Sequence, residues 1–275
     1  MPDDINELRA ELAGLSGTAR LLPLLKLGRA TAERYWRAGP GTSGGLGNLN
    51  AAIEALTEAH GHMTDGDGLR GQVACQLGTL LMARHSLHTE REEDRKAAIR
   101  VLEEALATPN LAKVLRSGAG IQLSQAYLGE MFVFFKTPAA AVNLMTGQTP
   151  PGLAEDVDRA VHCLRQVLDE GPPSAEIADM AKVMLSMAEA MQMTTKGPAG
   201  GFNLQGLTEA MATMQNLQER LLHRGTPGQA APGSPFLSFG NFQALMNMDP
   251  LSRPVTVVEQ AVVVMKADLA GVVQG

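Results

Sequence analysis

The sequence predicts an all-α protein, folded as a right-handed solenoid of about five antiparallel helix-turn-helix units. The first observation is the composition: the chain has one Trp, two Tyr and seven Phe against 15 Met. A sheet-rich protein of 275 residues normally uses more aromatic and β-branched side chains, whereas Met, Ala, Leu, Glu and Gln favour helices. The second and third observations are two short patterns that recur along the chain.

The first pattern is a Leu-Gly or Leu-Ser dipeptide inside a helical apolar pattern. Its successive copies are separated by 50, 46, 62 and 52 residues. The Gly or Ser marks the point where the first helix of a unit crosses the second, because a small residue lets the two axes approach closely. The five copies are Leu27-Gly28, Leu77-Gly78, Leu123-Ser124, Leu185-Ser186 and, more loosely, Leu237-Ser238.

The second pattern is an Ala followed by an apolar residue, with further apolar residues four and usually seven positions later. Residues at these spacings lie on one face of an α-helix, so the pattern predicts the second helix of each unit, with the Ala at the crossing. The copies begin at Ala52, Ala98, Ala160, Ala210 and Ala261, and the last has Asp268 where the final apolar residue should stand.

Glycine and proline clusters separate the predicted units, which together form a single domain over residues 1–275. A helix at about Asp4–Leu15, which opens with acidic residues, precedes them. The third unit carries a long insertion at Phe132–Asp158. The units span about residues 18–62, 68–108, 111–170, 174–224 and 234–272.

Both patterns together resemble the tetratricopeptide repeat, whose first helix carries Leu-Gly and whose second helix carries the spaced Ala. Units one and two are similar, more narrowly, to the repeats of actinobacterial proteins that carry a CHAT protease-like domain. This resemblance implies that the first helices line a concave groove. The strings that carry the narrower likeness are Arg34-Tyr35-Trp36-Arg37-Ala38-Gly39 and Leu49-Asn50-Ala51-Ala52-Ile53.

The charge balance argues against nucleic-acid and membrane partners. The net charge is −6, and neither half of the chain offers the clustered Lys and Arg that phosphates require. Two cysteines, Cys75 and Cys163, make no disulfide framework. Because the start has no secretory pattern and the apolar run Val255–Val273 is interrupted by charges, we expect a reduced, cytoplasmic protein.

Two strings could carry catalysis, but each has a simpler interpretation. The string Gly39–Gly44 fits GxGxxG, a pattern of dinucleotide-binding sites when it lies between a strand and a helix. Here a helix precedes it, so we interpret it as a loop between repeat helices. His60 and Cys75 superficially form a Cys–His pair. They fall on different helices of the repeat pattern, which favours a buried structural cysteine.

Metal binding and a charged binding strip are also weakly indicated. His60 with His62, and His85 with His88, each offer two metal ligands without a third nearby, so no metal and no cofactor are expected. The run Glu90–Lys96 mixes both charge signs and is interpreted as a solvated loop leading into a helix that starts at residues 94–96, not as a binding strip.

The groove prediction follows from placing the first helices in register. Met180, Met184, Met187 and Met191 form one helical stripe, which either packs in the core or offers an adaptable apolar binding surface. A third interpretation, Cu(I) held by thioethers, lacks supporting Cys or His. The predicted groove residues are Lys26, Arg29, Gln76, Gln122, Gln125, Met180, Met184, Met187, Met191, Phe236, Phe239 and Phe242.

The sequence thus predicts a non-catalytic interaction or scaffold module that binds a peptide or partner domain in a Met/Phe-lined groove. No polar capping helix is visible at the end, so a further C-terminal domain or a second protomer is an expected partner. The alternative is a small hydrophobic ligand, bound by a carrier or by an enzyme without recognisable motifs. A structural spacer that self-associates through its end is a third interpretation.

Overall fold

The computed structural model describes residues 5–38, 45–64, 67–89, 91–135, 151–173 and 175–195. These residues form helices and connecting turns without any strand, which confirms the all-α prediction for the described part of the chain. A 3₁₀ turn at Gly17–Arg20 and a π-helical turn at His85–Thr89 adjoin the α-helices. The α-helices are α1 (Ile5–Ala13), α2 (Leu21–Ala38), α3 (Gly45–His62), α4 (Arg70–Arg84), α5 (Glu92–Ala107), α6 (Lys113–Phe135), α7 (Leu153–Asp169) and α8 (Ala175–Thr195).

The first two Leu-Gly dipeptides lie where paired helices cross, as predicted. A Cβ atom placed on Gly28 of α2 would stand 2.7 Å from Leu56 Cγ of α3. One placed on Gly78 of α4 would stand 2.5 Å from Leu102 Cγ of α5. In both helix pairs the glycine therefore faces the leucine that follows the repeated Ala by four positions.

The α4 and α5 helices run in opposite directions. Gly71, near the start of α4, faces Thr108, which follows the end of α5. Further along α4, Arg84 binds Asp94 in the first turn of α5. Because the contacts advance along one helix while they retreat along the other, α4 and α5 form an antiparallel hairpin.

Each of the three described second helices buries its Ala-based face. The repeated alanines Ala52, Ala98 and Ala160 have no exposed surface. The leucines four positions later are at most 1% exposed, and burial of one such side chain stabilises a fold by about 1.5–3 kcal/mol. The residues of this face are Ala52, Leu56 and Ala59 in α3, Ala98, Leu102 and Ala105 in α5, and Ala160, Leu164 and Val167 in α7.

The chain divides into two compact units between Gln122 and Leu123. In the described part of the first unit, α1 packs on α2, α2 on α3, α3 on α4 and α4 on α5. In that of the second, α7 packs on α8. A single domain over residues 1–275 stays a prediction.

The fourth dipeptide differs from the first three. Leu185 and Ser186 of α8 are both partly exposed, and Ser186 Oγ donates to the carbonyl oxygen of Lys182 in its own helix. The buried face of α8 is formed instead by Ala181, Met184, Ala188 and Met191. The predicted second helix at Ala210 and the whole fifth unit lie outside the described residues.

In the run Glu90–Lys96 the helix begins earlier than the predicted start at residues 94–96, and two of the charged side chains are buried rather than solvated. Helix α5 already begins at Glu92, and Asp94 and Arg95 are only 4% and 3% exposed. Two hydrogen bonds from the Arg84 guanidinium hold Asp94, at 2.8 and 2.5 Å, which offsets the cost of burying its charge. Residue 90 itself lies outside the described residues.

Candidate functional site

An arginine recurs at the start of the first helices, and this repeat was missed in the sequence. Arg20, Arg70 and Arg116 stand eight residues before Gly28, Gly78 and Ser124 respectively. Each guanidinium donates to carbonyl oxygens at the end of the preceding helix. The terminal carbonyls of a helix have no partner within it, so each arginine caps the helix that comes before. The accepting carbonyls belong to Leu12 and Leu15, to Met63, and to Leu106 and Thr108.

Two of these arginines also bind a glutamate at an equivalent place. Glu58 and Glu104 stand six residues after Ala52 and Ala98. Arg20 Nε lies 2.5 Å from Glu58 Oε1, and Arg70 Nε lies 2.5 Å from Glu104 Oε1. The hydrogen bond from Arg20 lowers the pKa of Glu58. These ion pairs fix the register of the two hairpins.

His60 joins the second of these pairs and thereby links neighbouring hairpins. Its Nε2 atom, at the end of α3, lies 2.9 Å from Glu104 Oε1 in α5. Burial alone would raise the pKa of Glu104, but the hydrogen bonds from Arg70 and His60 outweigh it and the pKa is lowered. At the other end of α3, Arg84 Nη1 donates to Asn50 Oδ1 at 3.0 Å.

Tyr35, a residue of α2, makes a buried aromatic contact. Tyr35 has no exposed surface, and its hydroxyl lies 3.3 Å from His88 Nε2 in the π-helical turn. The ring of Tyr35 also packs edge-on against Trp36, with 4.8 Å between centroids. Burial lowers the pKa of His88, so the neutral imidazole is favoured beside the phenol.

The predicted groove residues of α2 lie on its outer face, away from the hairpin core. Lys26 is exposed, and the Arg29 side chain is 26% exposed. Glu33 bridges two guanidiniums: its Oε1 lies 3.1 Å from Arg29 Nε, and its Oε2 lies 3.0 Å from Arg37 Nη2. Trp36 and Arg37, which the prediction did not include, share this face.

Lys26, Gln76 and Gln122 occupy the same position, two residues before Gly28, Gly78 and Ser124. All three are at least partly accessible to solvent. The Oε1 atom of Gln122 is buried and makes no hydrogen bond to any described residue. Three polar residues of the predicted groove, Lys26, Gln76 and Gln122, therefore lie on accessible positions of α2, α4 and α6.

The methionine stripe is not one continuous exposed surface. Met184 and Met191 are only 1% and 7% exposed, whereas Met180 and Met187 are partly exposed. Gln125, predicted to line the groove, is 4% exposed, and its Nε2 lies 3.8 Å from Met184 Sδ. Met184 and Met191 lie on the same buried side of α8 as Ala181 and Ala188, and Gln125 of α6 is buried with them. The predicted groove residues Phe236, Phe239 and Phe242 lie outside the described residues.

His60 and Cys75 have separate partners, so neither is placed to activate the other. His60 binds Glu104, and Cys75 Sγ lies 3.9 Å from the carbonyl oxygen of Leu115. Burial raises the pKa of the Cys75 thiol to about 12, which keeps it protonated at neutral pH. His85 Nδ1 lies 2.8 Å from the carbonyl oxygen of Arg91. The segment Gly39–Gly44 lies outside the described residues.

Among the described residues, no three or more His, Cys, Asp and Glu side chains are grouped so as to hold a metal ion. Within the same residues, every helix is too short or too polar to cross a membrane. The chain matches no protein-family model, no curated protein and no solved structure.

Proposed function

We propose that this chain is a non-catalytic, tetratricopeptide-like interaction module, a solenoid of about five helical hairpins that binds a protein or peptide. The observation that carries the proposal is the repetition of one contact set in two successive hairpins. Arginine, glycine, alanine, leucine and glutamate recur at matching positions, and in each hairpin the arginine binds the glutamate while the glycine faces the leucine.

A repeated contact set has a functional consequence because equivalent residues of successive units line one surface. Repeat proteins use such surfaces, built from quasi-identical units, to bind extended partners. Here the first helices place Lys26, Gln76 and Gln122 at one repeat position, and each is accessible. We therefore assign the polar part of the binding surface to this row of residues.

A separate apolar binding surface is proposed on the second unit, at Met180 and Met187 on the partly exposed side of α8. Thioether side chains repack at low cost against varied apolar groups, so such a surface suits peptide binding. The predicted groove residues Phe236, Phe239 and Phe242 lie outside the described residues. Met184 and Met191 support this surface from the interior.

The proposal is tested by quantitative mass spectrometry of proteins that co-purify with the chain from its own host. The test variant combines Gln76→Glu with Gln122→Glu, which introduces two negative charges on the proposed surface. The control combines Thr57→Glu with Thr18→Glu, two exposed sites away from it. We expect the test variant to lose a partner that the wild type and the control retain, with unchanged circular dichroism. Equal recovery of every partner by both variants would contradict the proposal.

A further inference from the structure

The outer face of α2 combines positive charge with accessible apolar side chains. At 100° per residue, positions 22, 26, 29, 33, 36 and 37 fall within one third of the helix circumference. The opposite side of α2 packs into the hairpin through Leu24, Leu27, Gly28 and Tyr35. The name α2 outer face is used for Leu22, Lys26, Arg29, Glu33, Trp36 and Arg37.

The charge of this face is opposite to that of the whole chain. It holds Lys26, Arg29 and Arg37 against the single carboxylate of Glu33, while the chain carries a net charge of −6. Glu33 is shared between two guanidiniums, and Lys26 forms no ion pair with any described residue. The exposed Arg34 adds a further cation on α2, about 60° around the helix from the edge of the face. Positive charge thus remains uncompensated here, and a carboxylate is the complementary group.

The apolar residues of the face lie at its two ends. Leu22 is 39% exposed, and it and Met193 are the large apolar side chains that stand out as exposed among the described residues. Trp36, the chain's single tryptophan, is partly exposed. Fourteen helical residues separate Leu22 from Trp36, a distance of about 21 Å at 1.5 Å per residue. An extended peptide covers that distance with roughly six or seven residues.

We propose that the α2 outer face is the docking site of an acidic, extended segment of a partner protein, with apolar side chains seated on Leu22 and Trp36 and carboxylates on Lys26, Arg29 and Arg37. This inference rests on the proposed function, whose partner class it names. Tryptophan and arginine are the residue types that most often dominate binding energy at protein interfaces.

A nucleic acid is the other polyanion that this face could attract, but the neighbouring helices oppose it. Of the two helices that pack on α2, α3 carries Glu54 and Glu58 without Lys or Arg, and α1 carries Glu7 and Glu11 against Arg9 alone. A long polyphosphate would have to pass these carboxylates, whereas a peptide of six or seven residues ends within α2. Charge complementarity therefore favours a short acidic segment.

Calorimetry on the full chain tests the proposal. The probes are an acetylated, amidated octapeptide Glu-Leu-Asp-Glu-Asp-Glu-Asp-Leu, whose two Leu side chains lie on the same side of an extended chain about 20 Å apart, and its Gln/Asn analogue, which has the same shape without charge. We expect saturable binding of the acidic peptide, weakening with added salt, and a shift of the Trp36 emission. Lys26→Glu and Arg37→Glu should each weaken binding about tenfold, because reversal replaces attraction by repulsion. Arg100→Glu, a reversal at an exposed site on α5, is the control and should change the affinity less than twofold.

Three outcomes would overturn the proposal. One is equal binding of the neutral peptide, another is an equal effect of Arg100→Glu, and the third is tighter binding of an oligonucleotide than of the acidic peptide. Concentration-dependent light scattering that Arg37→Glu abolishes would instead identify a second copy of the chain as the occupant. If the natural partner is lost with Gln76→Glu and Gln122→Glu but retained with Arg37→Glu, the proposed function stands and the acidic partner does not.

Discussion

The backbone of Gly78 in α4 lies so close to Leu102 in α5 that a methyl group on Gly78 would stand 2.5 Å from Leu102 Cγ. Gly28 and Leu56 repeat this relationship in the preceding hairpin, at 2.7 Å. Both glycines are in helices, where Ala is intrinsically preferred by about 1 kcal/mol. Close approach of the two helices is therefore the reason for glycine at these positions.

The first prediction concerns this close approach. Gly78→Ala should lower the free energy of unfolding by about 1–2 kcal/mol, since the overpacking cost exceeds the gain in helix propensity. Gly47→Ala is the control, because a methyl group on that α3 glycine meets no atom within 4 Å. It should raise stability by about 0.5 kcal/mol. Urea unfolding measures both values, and equal stabilisation by the two variants would show that Gly78 is not crowded.

The second prediction concerns Arg70 and Glu104, whose side chains are 22% and 34% exposed. A double-mutant cycle with Arg70→Gln and Glu104→Gln should give a coupling energy of about 1 kcal/mol. The same cycle at Lys182 and Asp179, 65% and 48% exposed and 3.7 Å apart, should give less than about 0.3 kcal/mol. Arg70→Lys should lower the free energy of unfolding less than Arg70→Gln does. It should still be less stable than the wild type, because an ammonium cannot bind Glu104 and the Met63 carbonyl as the guanidinium does.

The free energy of unfolding at acidic pH depends on the same glutamate, Glu104. Because the pKa of Glu104 is lowered in the folded chain, its stabilising effect is complete above the unfolded value of 4.5 and is lost as pH falls through the folded value. Glu104→Gln should therefore flatten the decline of unfolding free energy below pH 4.5. An unchanged slope in this variant would show that Glu104 is not stabilised in its charged form.

The third prediction concerns His88 and a higher pH window. Burial lowers the pKa of His88 below 6.5, so the unfolded chain binds the proton more readily than the folded chain. The free energy of unfolding should be highest above pH 6.5 and decline as the pH falls through that value. His88→Gln should reduce the decline between about pH 7.5 and 5.5, whereas His162→Gln, at an exposed site on α7, should not. Denaturant unfolding at several pH values provides the measurement, and parallel curves for all three proteins would contradict it.

The fourth prediction tests whether Met184 belongs to the interior. Met184→Ala should lower the free energy of unfolding by about 2–4 kcal/mol, because truncating a side chain that is 1% exposed leaves a cavity. Met193→Ala, at a side chain 47% exposed, should change stability by less than about 0.5 kcal/mol. Thermal unfolding followed by circular dichroism gives both values. If Met184→Ala is neutral, Met184 belongs to an accessible surface after all.

The hairpins were predictable because their signal is local and periodic. A repeated Leu-Gly dipeptide and a repeated Ala face can be recognised in a single sequence. The structure has Gly28 and Gly78 at the predicted helix crossings, and Ala52 and Ala98 on the predicted buried faces. The capping arginines were missed for a physical reason. Arg20, Arg70 and Arg116 bind backbone carbonyls. Every residue type has a backbone carbonyl, so the sequence of the preceding helix does not show which residue accepts the hydrogen bond.

The site was less predictable than the fold because spacing alone does not say which edge of a stripe faces inward. Met180, Met184, Met187 and Met191 share one side of α8, yet only the second and fourth are buried. The small Ala181 and Ala188 lie on the same side of α8 as the two buried methionines. This side faces the interior because alanine lets a neighbouring helix approach closely. In the same way, the charged run at Glu90–Lys96 contained no sign that Arg84, ten residues before Asp94, would bury one of its carboxylates.

The capping arginines give the chain an order of assembly. Each one follows the carbonyls it binds by five to ten residues, so the end of a helix emerges from the ribosome before its capping arginine does. At about 5–20 residues per second, the final turn of each helix waits up to roughly two seconds for its arginine. Truncation just before Arg70 or Arg116 would therefore leave the last upstream helix with a frayed end, and nascent chains of those lengths should be the ones most open to proteolysis.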